Sequence, residues 1–596
     1  MGFPAHIQSD VHDTRLWFDR CHSDLLKPPV HSAAPALRKG TNGFHSTRCK
    51  IRCHQGDFRR RIMKTLEYVF VALIVILVGL LILDSGVLEP RMVLRIASDP
   101  ENRAVEPLIQ DWAEENDTDI EITYRSSTAI TRELAKGAGT DFDAVWPSSS
   151  LWIALGDPQK VVQHETSVSR SPVVLGLRTS IAKELGWIGR TDVNVQDIHT
   201  AAKEGKFRLS VASATQSDSG ALAYFGFLHA LSNTSEALTM ETLADPAVRD
   251  EMRDLLAQVD RSAGDDDWLA QALVDNSAAF DAMINTEALL IDANHKLIAE
   301  GREPLYAIYP ADGLALADSP IGYISKGDGD KETKFLELRA FLSTPEVQDV
   351  LSGQGRRVVS AGSDTPDPTI WNPDWGIDLA RSLTPVQTPS SEIIAEALRL
   401  YQTDLRKPSL TVWLLDVSGS TDGTPIQEIK DAVGALLDPD AAAARLLQPS
   451  PRDVTILIPY NHNILDPIVI AGDQTAESEQ ARRLIDTLQA DGGMDVFYAL
   501  YEGFEAFRPQ AEDGTLADFL PAIIAVIDGP SDTETRTPLL AHMDQTPYTR
   551  DIPIHTIAMG DADPDQLAQL TRLSAGRLFT GSTDLAEVLW AARGYN

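Results

Sequence analysis

Apolar and polar positions follow three patterns along this chain, and each predicts a different kind of element. From residue 92, short apolar runs alternate with stretches of helical period. Residues 93–98 (VLRIAS), 120–124 (IEITY) and 142–146 (FDAVW) read as strands, with helical patterns at 105–116 and 128–136 between them. Strands and helices alternating at this spacing predict a parallel sheet covered on both faces. The same pattern returns after residue 409. An apolar run at 410–415, a helical pattern at 426–437, strands at 454–460 and 522–528, and helices around 481–488 and 563–573 follow in turn. The third pattern is an unbroken apolar run, YVFVALIVILVGLLIL, at 68–83.

That run is at the short end for a membrane span and long for the core of a signal peptide. Arg59, Arg60, Arg61 and Lys64 precede it, whereas Asp84 and Glu89 follow. The positive-inside rule then puts the amino terminus in the cytoplasm and the rest outside. No small-residue cleavage pattern stands out in LILDSGVLEP, so residues 66–84 are read as an uncleaved transmembrane signal anchor, with a cleaved signal peptide as the alternative.

Charge separates the segment before the anchor from everything after it. The chain carries −35 overall, while residues 1–62 alone carry a net +6, which leaves −41 for the remainder. A globular part this acidic repels a phosphate backbone, so nucleic-acid binding is not expected. Residues 1–62 show no periodicity and hold all three cysteines, Cys21, Cys49 and Cys53. They are expected to be disordered, or to lie upstream of a translation start at Met63. A chain starting there has no cysteine, which suits an oxidising compartment.

Serine- and threonine-rich loops fall at the carboxyl ends of the first strands: Ser98-Asp99, Ser126-Ser127-Thr128 and Ser148-Ser149-Ser150. Backbone amides at helix starts, supplemented by hydroxyls, form a site for an anion or a small polar ligand. The segments YRSSTAITRELAKGAGTDFDAVW (124–146), SRSPVVLGLR (169–178), FRLSVASATQSDSGALAY (207–224) and LYAIYPADGLALADSPIGYI (305–324) resemble the bacterial type 2 periplasmic solute-binding proteins, especially the molybdate and sulfate group. The resemblance spans 92–361 and implies two α/β lobes closing over a small solute by hinge motion. It points to Ser98, Ser126, Ser127, Thr215, Ser217 and Glu287 as ligand contacts. Each hydroxyl also has the simpler role of a helix cap. A carboxylate at Glu287 opposes an anion, so neither molybdate nor sulfate is assigned. Trp146 and Trp152 flank the third loop, as an aromatic wall or as packing.

Residues 362–408 hold a Pro-, Asp- and Thr-rich linker, expected to be a connector rather than a core, and then a helix beginning at Ser391. The apolar run at 410–415 delivers Asp416, Ser418 and Ser420 at alternate positions of DVSGS. One carboxylate and two hydroxyls on a tight turn suit a hard divalent cation, Mg²⁺, Mn²⁺ or Ca²⁺. Residues 409–596 resemble a von Willebrand factor A domain, whose metal-ion-dependent adhesion site opens with Asp-x-Ser-x-Ser. The resemblance implies a Rossmann-like fold, a third loop supplying Asp528, and a second loop with Gly-Gly-Thr. Here that loop reads Asp491-Gly492-Gly493-Met494-Asp495, so a thioether stands where the family has a hydroxyl and the site is expected to be weakened. Asp495 either reaches in or follows the direction of its own helix.

The leading expectation is a membrane-anchored extracytoplasmic binding protein. Its two-lobed domain captures a small solute, and its last domain engages a protein partner through the metal site. A receptor feeding an ABC-type transporter is the alternative. A metal-dependent hydrolase is more remote, because no nucleophile elbow, phosphate loop or HExxH pattern is present and His462, His542 and His555 lie outside the metal loops. No enzymatic activity is expected.

Overall fold

The computed structural model describes residues 69–74 and 91–596, apart from 235, 277, 359–365, 472–474, 581–583 and 596. The chain divides into two units, 1–89 and 90–596. Of the first, only a helical stretch at 69–74 is described. The expected anchor at 66–84 otherwise lies outside the described residues, as do residues 1–62. No described helix is long and apolar enough to cross a membrane.

The second unit holds three sheets. In the first, β1 (Met92–Ser98) pairs in parallel with β2 (Thr118–Tyr124) and β3 (Ala144–Trp146). Strand β4 (Val162–Ser167) closes the sheet through the antiparallel β11 (Pro320–Ile324). Leu94 and Ile96 of β1 pack toward Val105 and Ile109 on one face, while Ala97 packs with Ile130, Leu134 and Val145. Both faces are therefore covered, as a parallel sheet requires.

The second sheet is built on the long β5 (Ser169–Arg178). It pairs antiparallel with β8 (Ala282–Thr286), β9 (Leu305–Ile308), β10 (Leu316–Ala317) and β12 (Arg357–Val358). The order continues from β8 to β6 (Leu209–Ala212) and β7 (Val259–Ala263) in parallel. The chain crosses between the lobes where β4 runs into β5 and where β10 runs into β11. The Val168 amide donates to the Ser319 carbonyl at 3.1 Å, and the Ser167 hydroxyl donates to the Asp318 carbonyl at 2.6 Å.

The linker does not behave as a free connector. Trp371, Trp375 and Ile377 are buried against the second lobe, with the Trp375 ring 5.4 Å from that of His295. Gly376 makes this possible, since its φ is +79° and a Cβ there would sit 2.7 Å from the Ala307 carbonyl oxygen. Composition alone, rich in Pro and Asp, concealed three large apolar anchors. The helix Ser391–Leu400 then packs on both lobes. Ser391 donates to the Leu155 carbonyl in the first lobe, and Tyr224 in the second donates to the Ala397 carbonyl at 2.8 Å. A π-helical turn, Tyr401–Leu405, ends it and leads into β13 (Ser409–Asp416).

The third sheet has the order β15-β14-β13-β16-β17-β18, with β14 (Val454–Tyr460), β15 (Ile468–Ala471), β16 (Leu520–Ile527), β17 (Ile554–Ala558) and β18 (Leu578–Phe579). All pairs are parallel except β14 with β15. Central β13 is buried at all eight residues. Strand order reverses between β13 and β16, and the crevice beyond such a switch point is where open α/β sheets hold ligands. Lobe 2 and this domain share a seam. Trp268 stacks edge-on against Tyr595 at 5.0 Å, Arg261 donates to the Ser574 carbonyl, and Arg577 pairs with Asp265 at 3.3 Å.

Candidate functional site

Between the lobes, short polar loops at the strand ends converge. The Ser127 hydroxyl opens the helix Ser127–Leu134 and lies 2.9 Å from Asp99 Oδ2, 3.3 Å from Ser148 Oγ and 3.3 Å from Asp218 Oδ2. It also accepts from the Ser148 amide at 3.1 Å. Asp218 opens the lobe-2 helix Asp218–Ser232, and its other carboxylate oxygen accepts from the indole of Trp152 in lobe 1. Ser217 caps that helix and donates to Asp266 Oδ1 at 2.5 Å, and Ser219 donates to the same oxygen.

Three buried carboxyls therefore cluster where the loops of the two lobes meet. Burial raises the Asp99 carboxyl well above the ordinary range, and the charges of Asp218 and Glu101 raise it further. Asp218 is pushed up to about 7, mainly by burial and then by Asp266. Burial likewise raises Asp266, despite the hydroxyls that bond it. A cationic group brought to this seat would offset the repulsion among these carboxyls.

The other expected solute contacts have their own partners. Ser98 is fully buried and donates to the Asp99 carbonyl at 3.1 Å, and Ser126 is exposed and caps its helix through the Ala129 amide. Thr215 faces away from the seat and donates to Gln402 Oε1 at 3.3 Å. Glu287 is fully buried, held by the Arg357 guanidinium at 2.9 and 2.8 Å and by the Tyr309 hydroxyl. Trp146 packs in the first-lobe core, its indole donating to Ser319 Oγ at 3.1 Å. Sequence reasoning missed Asp99, Asp218 and Asp266 as site groups. The signal was the Ser-Asp dipeptide present in both loops.

In the third sheet, Asp416 at the end of β13 accepts from the Ser418 amide at 2.8 Å through Oδ1 and from the Asp528 amide at 3.1 Å through Oδ2. The Ser418 and Ser420 hydroxyls lie 2.9 Å apart. Burial raises the Asp416 carboxyl, and Asp528 is pushed up to about 6 by burial and then by Asp416. Asp528 Oδ1 is buried with no hydrogen-bond partner among the described residues. An orphaned carboxylate oxygen beside a second carboxylate and two hydroxyls fits a hard cation. Among the described residues, no three His, Cys, Asp or Glu side chains gather as a metal site.

The second loop touches the first, the Gly419 amide donating to the Gly492 carbonyl at 2.9 Å. Met494 is buried and its sulfur receives the Tyr460 hydroxyl at 3.9 Å. Asp495 turns instead to cap its own helix at the Tyr498 amide and to accept from the Thr535 hydroxyl.

Residues 94–357 match the family model described as bacterial extracellular solute-binding protein. This region is a solute-binding domain. No curated protein matches the chain. Among solved structures, a ferric binding protein from Campylobacter jejuni is 13% identical with a TM-score of 0.37, over 52% of this chain and 98% of its own. A periplasmic molybdate-binding protein from Azotobacter vinelandii is 14% identical with a TM-score of 0.29, over 45% and 100%. A von Willebrand factor type A protein from Catenulispora acidiphila is 17% identical with a TM-score of 0.24, over 32% of this chain and 44% of its own. The matched region comprises the two lobes described above, and the contact between Ser127 and Asp218 lies between them.

Proposed function

We propose that this chain is an extracytoplasmic receptor in which the two lobes clamp a small solute at the Ser127 and Asp218 seat. The observation that carries this reading is the convergence of one lobe's hydroxyl and indole on the other lobe's carboxylate. The raised carboxyls of Asp99, Asp218 and Asp266 support a solute with amine or other hydrogen-bond-donor groups over an oxyanion. Thermal-shift titration of the full-length chain against amines, amino acids and oxyanions tests it. Stabilisation by an amine-bearing solute, lost in Asp218→Asn, is expected. Stabilisation by molybdate or sulfate instead overturns it.

In this reading the segment at 66–84 anchors the chain to the membrane, and residues 409–596 form an A-domain-like module that engages a protein partner. Asp416, Ser418, Ser420 and Asp528 would hold a divalent cation there, which supplies an open coordination position for a partner's carboxylate. The lobe-2 loop that carries Ser217 also contacts the π-helical turn, through Thr215 to Gln402 and through Ser213 and Ala214 to Tyr401. That turn feeds β13 and Asp416, so solute closure and partner engagement share one connecting element. π-helical turns often mark functional positions.

Delivery of solute to an ABC-type transporter is the second reading, favoured by the family match. Solute uptake by cells lacking the chain separates the two. Lost uptake supports delivery, and unchanged uptake with altered partner binding supports the receptor.

A further inference from the structure

We infer that the chain holds a second ligand chamber, roofed by the linker and built for an organic carboxylate with an apolar body. It goes beyond the clamp, because none of Ser98, Asp99, Ser127 or Asp218 lines it. The cavity measures about 900 Å³. Pockets for drug-sized ligands run from about 300 to 1,000 Å³.

The lining of this chamber brings arginines together in a register that the fold itself does not explain. Arg170 on β5 and Arg357 on β12 stand directly opposite each other in the antiparallel pair, and both border the cavity. Like charges in that register are destabilising unless something offsets them. Arg381 from the linker also borders the cavity and lies over the Tyr309 ring at 4.8 Å, with Arg357 over the same ring at 6.0 Å. Glu287 is committed to Arg357, whereas Arg170 and Arg381 make no ion pair of their own among the described residues.

Three aspartates also border the space, and the charge of Arg170 acts on Asp318. Asp318 accepts from the Ser150 amide at 2.8 Å, Asp367 accepts from the amide and hydroxyl of Thr369, and Asp349 is exposed. The lining also holds apolar side chains, with Phe225 and Leu222 from lobe 2 and Trp371 and Leu383 from the linker. Guanidiniums recognise planar carboxylates in paired hydrogen bonds, and an aromatic wall suits an aryl or alkyl body.

The test is intrinsic tryptophan fluorescence of the full-length chain titrated with 4-phenylbutyrate, with 4-phenylbutanol, benzylamine and phenyl phosphate as comparison probes. Saturable binding of the carboxylate is expected, weakened about ten-fold or more in Arg170→Gln and Arg381→Gln and in the neutral alcohol. Melting temperatures of the two variants within a few degrees of the parent keep the comparison valid, and Arg381→Lys is expected to restore part of the binding. Tighter binding of phenyl phosphate overturns the carboxylate assignment. Absence of saturable binding at millimolar probe, or binding unchanged in both glutamine variants, overturns the chamber. Asp218→Asn is expected to leave this binding intact, so failure here and failure of the clamp reading are separately visible.

Discussion

Ser127 of one lobe and Asp218 of the other meet across the cleft, hydroxyl oxygen 3.3 Å from carboxylate oxygen, with both groups buried around a carboxyl raised to about 7. Asp99, Asp266, Glu101, Ser148 and Trp152 face the same point. A carboxyl whose folded pKa exceeds its unfolded value, about 3.9, binds more protons folded than unfolded. Its stabilisation is present at low pH and is lost as pH rises through 7. The melting temperature is therefore expected to fall between about pH 5 and about pH 8, and Asp218→Asn is expected to flatten that slope. Calorimetric scans across the range check it, and a parent protein more stable at the alkaline end contradicts it.

Gln402 accepts from Thr215 inside a buried contact, so truncating it leaves a polar group with one fewer partner. Gln402→Ala is expected to cost about 1–2 kcal/mol, read from the urea midpoint at unchanged slope. If the turn transmits closure, the same variant also removes any effect of solute on partner affinity.

Glu287 and Arg357 form a buried, two-bond ion pair at the hinge. Glu287→Gln leaves the guanidinium buried and uncompensated, with an expected cost of about 3–5 kcal/mol. The double variant Glu287→Gln with Arg357→Met is expected to recover much of that loss in the same denaturation experiment.

In the proposed cation site, Met494 stands where the resemblance to an A domain would put a hydroxyl. Manganese is expected to raise the melting temperature of the parent modestly, and Asp416→Asn to abolish the rise. Met494→Thr is expected to lower basal stability by about 2 kcal/mol through the cavity it leaves, yet to enlarge the manganese-dependent increment. An unchanged increment removes Met494 as the cause of a weak site.

Strand positions were legible because burial on both faces writes continuous apolar runs. The run at 454–460 coincides with β14, and 93–98 differs from β1 by one residue. The strand ends at Asp416 and beside Asp528 were equally legible, on either side of the switch point. The solute seat was less so. Its acids, Asp99 and Asp218, look like ordinary helix-start residues until two lobes distant in sequence bring them together. Thr215 and Glu287 were expected as contacts from the resemblance, but their partners, Gln402 and Arg357, come from segments far downstream. The linker misled for a related reason: three anchors among prolines and aspartates have no period to detect.

The π-helical turn Tyr401–Leu405 carries one more residue per turn than the helix it ends. Each residue of an α-helix advances the chain by about 100° of rotation. The surplus residue therefore sets the angular phase at which the sheet departs from the clamp. Deleting Thr403 would rewind the turn to regular α-helix and swing the exit toward β13 by that angle. Length at this joint is an orientation dial, and a one-residue indel would change direction where elsewhere it changes only reach.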